Sequence, residues 1–218
     1  MKLVYINPNA TEAMTDGIVR TAREALPEAE IFGLTNTEGP PSIEGAADGD
    51  AAVPGLLIRL SEAQTLGAEA IVIACFDDTG LARAQAAASC PVIGLGQASF
   101  VAATLLGRRF SVITSQRVSI PVIEANIAAQ GFAGTCASVR AVGLPVLTID
   151  AGGDAVVSRI CEEIAAARIE DGAECVLLGC AGMGRLVHAI AARTEIPVIE
   201  GIAAAAHLAT AALRIGPR

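Results

Sequence analysis

A segment of about forty residues occurs twice in this chain. Laying Gly67-Ala68-Glu69 on Gly172-Ala173-Glu174 sets GAEAIVIACFDDTGLARAQAAASCPVIGLGQASFVAATL beside GAECVLLGCAGMGRLVHAIAARTEIPVIEGIAAAAHLATAAL, with little slippage between them. Cys75 then faces Cys180, and Pro91-Val92-Ile93 faces Pro197-Val198-Ile199. Each copy reads as an apolar run (Ala70 to Ala74; Cys175 to Leu178), a cysteine, a small or polar turn, an Ala-rich helix and a Pro-Val-Ile strand. That is a β-turn-α-β unit, and two of them bind the chain to an α/β design in two related halves.

The remaining segments complete those halves. Leu3 to Ile6 followed by Asn7-Pro8-Asn9, and Phe110 to Ile113 followed by Thr114-Ser115, read as the opening strand and loop of each copy. Apolar spacing predicts helices over Glu12 to Leu26, Ala52 to Leu66, Ile120 to Ala129 and Val156 to Ile169, with Gly131 as a helix stop. Only 3% of the residues are aromatic against 53% hydrophobic, so the core must be aliphatic, as expected where helices cover parallel strands. The expected fold is α/β, two pseudo-symmetric domains, each a short mainly parallel sheet flanked by helices. Residues 1–98 with 204–218 form the first half and 99–203 the second.

In open parallel sheets ligands gather beyond the carboxyl ends of the strands. Cys75 and Cys180 both fall there, and halves facing across a pseudo-two-fold axis would bring the two thiols to one cleft from opposite sides. Inverting a carbon acid needs a base on one face and an acid on the other. A thiol near its ordinary pKa of about 8.5, lowered at a helix N-terminus, suits both roles. A lone intracellular cysteine is more often a small buried hydrophobe. That reading stands for Cys90, Cys136, Cys161 and Cys175, which have no repeat partner; the symmetric placement of the other two overrides it.

The net charge of -8, without a run of Lys or Arg, offers nothing to a phosphodiester backbone, so no nucleic acid partner is expected. No apolar stretch is long enough to span a membrane, and Met1 to Tyr5 leads into a strand pattern in place of a signal peptide. Six irregularly spaced cysteines with no CxxC pair point to reduced thiols, and the cytoplasm is the expected location. Gly94-Leu95-Gly96 fails the dinucleotide fingerprint because Ser99 stands at the third glycine. His188 and His207 lack neighbours at metal-ligand spacing. Neither a metal nor a cofactor is expected.

INPNAT (Ile6 to Thr11), GPPSIEG (Gly39 to Gly45), ACFDDTGL (Ala74 to Leu81), GCAGM (Gly179 to Met183) and PVIEG (Pro197 to Gly201) together resemble the aspartate/glutamate/hydantoin racemase superfamily, and within it most the hydantoin racemases. The resemblance implies a cleft between the two domains, a C-terminal helix returning to the first domain, a two-thiol mechanism without metal or coenzyme, and homo-oligomers. It assigns Cys75 and Cys180 as the acid/base pair, with Asn7, Ser42, Ile43, Thr114 and Ser115 lining the pocket. Thr79 is a departure, since relatives often carry Pro there.

The residues after the cysteines narrow the substrate. Amino-acid racemases of this superfamily follow their cysteines with Asn-Thr and Thr-His type pairs, donors for an α-carboxylate; here Phe76-Asp77 and Ala181-Gly182 follow. A carboxylate beside Asp77 and Asp78 would meet like charge. A neutral cyclic ureide fits better. Asp77 would accept a ring N–H, while amides near Gly182 and the Thr114 or Ser115 hydroxyl would stabilise the enolate oxygen. Asp77 and Asp78 serve equally well as helix N-caps, and Asn7 and Asn9 as an Asx turn around Pro8. The expected activity is racemisation of 5-substituted hydantoins at C5, with allantoin as the alternative ring. An arylmalonate-type decarboxylase would need only the second-half cysteine, a maleate isomerase would need a dianion site, and a non-catalytic binding protein would need neither thiol.

Overall fold

The computed structural model describes residues 1–215. In chain order the elements are β1 (Lys2–Asn7), α1 (Glu12–Ala25), β2 (Glu30–Thr35), α2 (Ala46–Thr65), β3 (Ala70–Ile73), α3 (Leu81–Ala87), β4 (Val92–Gly94), α4 (Leu95–Leu105), β5 (Phe110–Thr114), α5 (Ile120–Ala129), β6 (Cys136–Ala141), α6 (Val146–Ala151), α7 (Asp154–Asp171), β7 (Cys175–Gly179), α8 (Val187–Ala191), β8 (Val198–Ile199) and α9 (Gly201–Ile215). Short 3-10 turns at Arg117–Ser119 and Ala181–Leu186 follow β5 and β7. The strands form two four-stranded sheets, β2-β1-β3-β4 and β6-β5-β7-β8, and every pair is parallel. This is the expected fold class, and the two orders are the same order.

The central strands β1, β3, β5 and β7 are almost wholly buried, which is why they read as unbroken apolar runs. The edge strands β2 and β6 went unread. EIFGLT buries only Ile31 among exposed and half-buried positions and CASVRA is half-buried throughout, so neither carries an apolar run or a sustained alternation. β6 is held instead by polar chemistry: Arg140 donates to Asp171 at 2.6 Å and to Glu163 at 3.3 Å, with Glu170 beside them. Gly131, at φ 84°, closes α5 as its position suggested.

The helices after the two Pro-Val-Ile strands change sides. α4 leaves the first sheet and packs on β7 and β8 of the second; α9 leaves the second sheet and packs on β3 and β4 of the first. They cross each other on the way. A Cβ on Gly201 would come within 2.9 Å of Ser99 Oγ and 3.1 Å of the Leu95 carbonyl, so the crossing requires a glycine. Phe100 of α4 stacks on Phe110 of β5, centroids 5.7 Å apart, and Phe76 meets it edge-on. A ring from the first cysteine loop is thereby built into the second half's core. Residues 216–218, the end of the segment assigned to the first half, lie outside the described residues.

Candidate active site

Cys75 lies two residues beyond β3, and Cys180 directly follows β7. The strand ends aim both into one small cavity, lined among others by Asn9, Ile43 and Asp77 from the first half and Ser115, Ser119 and Val146 from the second. The walls are tied together across the cleft. The Glu44 carboxylate accepts the Val146 N–H at 2.8 Å, Asn126 donates to the Asp77 carbonyl at 2.7 Å, and Gln130 donates to Asp78 Oδ2 at 3.0 Å.

The cysteine loops have different local structures. After Cys75 the chain makes a turn, with the Asp78 N–H on the Cys75 carbonyl at 3.1 Å, and Asp78 takes φ 49°. A side chain tolerates that left-handed conformation poorly, and Asp better than most. Here the Asp78 carboxylate is anchored by the Gly96 and Gln97 N–H groups, both at 2.9 Å. Asp78 is thus a helix cap, but for α4 and not for the α3 that follows it. Thr79 turns back to donate its hydroxyl to Cys75 Sγ at 3.4 Å. After Cys180 the chain enters a 3-10 turn directly, and the Met183 N–H closes on the Cys180 carbonyl at 3.0 Å.

Neither thiol has the lowered pKa expected of a helix N-terminus. Burial pushes Cys180 up to about 12, helped by the charges of Asp77 and Asp150, while the N–H groups of Gly182 and Met183 pull it part-way back. Burial pushes Cys75 well above its ordinary value too, with Asp77 adding to the rise and the Thr79 hydroxyl opposing it. Desolvation outweighs a few donors at this depth. Asp77 itself rises to about 7, first from burial, then from the charge of Asp78, against the Ser119 hydroxyl. Its Oδ2 is buried without a hydrogen-bond partner among the described residues.

Of the sequence-predicted site residues, Cys75, Cys180, Ile43, Phe76, Asp77, Thr114, Ser115 and Ala181 line the cavity. Asn7, Ser42 and Gly182 do not. Asn7 is fully buried behind the wall: its amide donates to Asn9 Oδ1, the Thr11 carbonyl and Thr15 Oγ1, and its own Oδ1 accepts the Asn9 N–H. The Asx-turn reading therefore describes it, and Asn9 takes the place at the cavity. Ser42 is half-buried beside Ile43 and caps nothing, since α2 begins after Gly45. Gly182 acts through its backbone alone, packed against Asp150 so that a Cβ would lie 3.2 Å from that side chain. The Thr114 hydroxyl is already given to the Gly179 carbonyl at 3.1 Å, which leaves Ser115 as the hydroxyl of that loop. Asn9, Met14, Ala74, Ser119, Val146 and Gly179 were not foreseen. Asn9 stood in a quoted motif; Ser119 and Val146 carry no local signal and reach the cavity only through the fold. Among the described residues no three His, Cys, Asp or Glu side chains are placed to hold a metal ion.

Two parallel α/β halves presenting paired cysteines at equivalent strand ends define a two-thiol cleft protein. A sequence profile described as Asp/Glu/Hydantoin racemase matches residues 3–209, and the chain belongs to that family, which places it among the racemases, a class of isomerase. The chain is 41% identical to the hydantoin racemase of Rhizobium meliloti over 99% of its own length and 90% of the relative's. To the hydantoin racemase of Pseudomonas sp. (strain NS671) it is 32% identical, over 100% of this chain and 88% of the other. The solved allantoin racemase from Klebsiella pneumoniae superposes with a TM-score of 0.94 at 32% identity, covering 99% of this chain and 89% of that one.

Proposed function

We propose that this chain racemises 5-substituted hydantoins without a cofactor, one cysteine removing the C5 proton while the other protonates the opposite face. The observation that carries the reading is that Cys75 and Cys180, from equivalent strand ends, line one cavity together with Asp77, whose buried Oδ2 lacks a partner among the described residues. A neutral ring donates an N–H to that oxygen at no cost in like charge, whereas an α-carboxylate would bring a second negative charge to it. The Ser115 hydroxyl, which lines the cavity, is the donor available to the developing enolate oxygen. Turnover needs one thiol ionised and the other protonated; burial raises both, which makes that ionisation costly, and the proton it releases goes to solvent water.

Allantoin stands beside hydantoin as a ring with the same N–H and C5 chemistry, favoured by the likeness to the Klebsiella enzyme. The small-molecule cyclic ureide is the partner in either case. The same reading includes a homo-oligomer, for which exposed Leu105, Leu106 and Ile169 offer apolar surface. It also includes a cytoplasmic location, in keeping with six free cysteines; among the described residues no helix is long and apolar enough to cross a membrane. The proposed division into 1–98 with 204–218 and 99–203 is supported by the packing of α9 on the first sheet and α4 on the second.

The test is deuterium exchange at C5 in heavy water, followed separately for each enantiomer of allantoin and of alkyl and benzyl hydantoins. The intact enzyme should racemise at least one of them. Cys75→Ser and Cys180→Ser should each abolish racemisation yet still exchange one enantiomer, a different one in each. Exchange of both enantiomers by a single variant defeats opposed bases, and activity on free aspartate or glutamate alone defeats the ring.

A further inference from the structure

The two thiols sit at equivalent places in the repeat, yet the groups that steady them differ. Cys180 is served by the backbone of its own 3-10 turn, chiefly the Gly182 N–H. Around Cys75 the chain instead folds through the left-handed Asp78, pinned by Gly96, Gln97 and Gln130, and this brings Thr79 over the sulfur. The Thr79 hydroxyl lies 3.4 Å from Cys75 Sγ, and that is its only hydrogen bond among the described residues. Thr79 is 6% exposed, so its hydroxyl has little solvent to turn to in place of the sulfur.

We propose that Thr79 is a positioning residue for Cys75, its hydroxyl donating to the sulfur so that the thiolate form is steadied on the first-half side of the cavity. This rests on the reading of Cys75 as an acid/base group. The hydroxyl keeps its own proton throughout; the proton exchanged with C5 is that of Cys75. The donor offsets the repulsion of Asp77, which bears on both sulfurs. It acts on one thiol only, so its loss falls on Cys75 and leaves Cys180 as it was.

The experiment is peptide-resolved alkylation of the full-length protein by iodoacetamide at about pH 9, where the rate follows the thiolate fraction. In Thr79→Val the rate at Cys75 relative to that at Cys180 should fall about tenfold, the equivalent of about one pH unit in the Cys75 midpoint. In Thr79→Ser, which keeps the hydroxyl, the ratio should stay within about twofold. General loosening of the cleft would move both thiols, so the ratio separates the hydroxyl from mere packing. An unchanged ratio in Thr79→Val, or an equal fall in Thr79→Ser, overturns the proposal. Should Thr79→Val fail to fold by circular dichroism, Thr79→Ala against Thr79→Ser decides by the same ratios. A tenfold fall in a protein that exchanges no hydantoin proton supports the role of Thr79 while defeating the racemase reading.

Discussion

Asp78 occupies the space that any side chain at position 94 would need. A Cβ built on Gly94 lies 2.0 Å from Asp78 Oδ1, and one on Gly96 lies 2.4 Å from the Phe76 carbonyl. The repeat places Glu200 opposite Gly94, and Glu200 caps α9 by accepting the Ile202 N–H at 2.7 Å and the Ala203 N–H at 2.8 Å. Each crossing helix thus has a carboxylate at its N-terminus, but the first half supplies it from the cysteine loop and the second from the strand end. One carboxylate fits at each position, and where Asp78 provides it, residue 94 must be glycine.

Gly94→Ala should therefore destabilise the protein by about 3 kcal/mol, at the upper end of overpacking costs, because the carboxylate in the way is anchored by three hydrogen bonds over its two oxygens. Asp78→Ala should cost about 2 kcal/mol through loss of the cap. The double variant should cost less than the sum, since removing the carboxylate frees the space. Urea unfolding of the four proteins checks this; simple additivity would show that the clash is relieved elsewhere.

Stability should fall as pH rises. Asp78 and Glu200 are each raised to about 7, in both cases by burial outweighing their hydrogen bonds. In the unfolded chain they titrate at about 4. Between those values the folded state holds protons that the unfolded state has lost, so their contribution is fully present below about pH 4 and is lost as pH rises through about 7. The slope is at most about 1.4 kcal/mol per pH unit for each group. Urea midpoints should be higher at pH 5.5 than at pH 8, and Glu200→Gln should flatten the curve.

Much of this arrangement was legible from the residues. The repeat locates both cysteines, the central strands show as continuous apolar runs because they are covered on both faces, and four helices show by their apolar spacing. β2 and β6 are illegible because, unlike the Pro-Val-Ile strands at the opposite edges, they carry no apolar run. The return of α9 to the first half is expected from the family resemblance alone, because the helix is Ala-rich on several faces and nothing local says which sheet it covers. Asn7 was misplaced because an amide in a loop signals polarity without saying whether it faces a ligand or its own turn. The thiols were judged too acidic because a strand-end position reveals a nearby turn but not the depth of burial around it.

On the proposed reading of the site, Asp77 should set a pH dependence in substrate binding. Raised to about 7 by burial and by Asp78, it accepts a ring N–H well only when ionised. The KM for a hydantoin should fall as pH rises through about 7. Asp77→Asn should raise KM about tenfold, the loss of one charge-assisted hydrogen bond, and should abolish that pH dependence. Steady-state kinetics from pH 6 to 8.5 test both; a KM independent of pH in the intact enzyme would place the ring elsewhere.

Glu44 joins the two lips of the cleft. Its neighbour Ile43 lines the cavity from the first half, and the Val146 N–H that it binds belongs to a residue lining it from the second. The Thr11 hydroxyl on the Pro41 carbonyl at 2.7 Å and the Ala10 N–H on the Pro40 carbonyl at 2.9 Å fix the loop that carries both residues. Removing the acceptor leaves the first N–H of α6 without its partner and frees the lips to separate. A charged acceptor on a backbone N–H contributes about 1.5 to 3 kcal/mol, so Glu44→Ala should raise KM at least about tenfold. Glu44→Gln keeps an acceptor oxygen at the same reach and should hold KM within about threefold. If Glu44→Gln is as impaired as Glu44→Ala, the carboxylate acts through its charge on the cavity and not through the bond across the cleft.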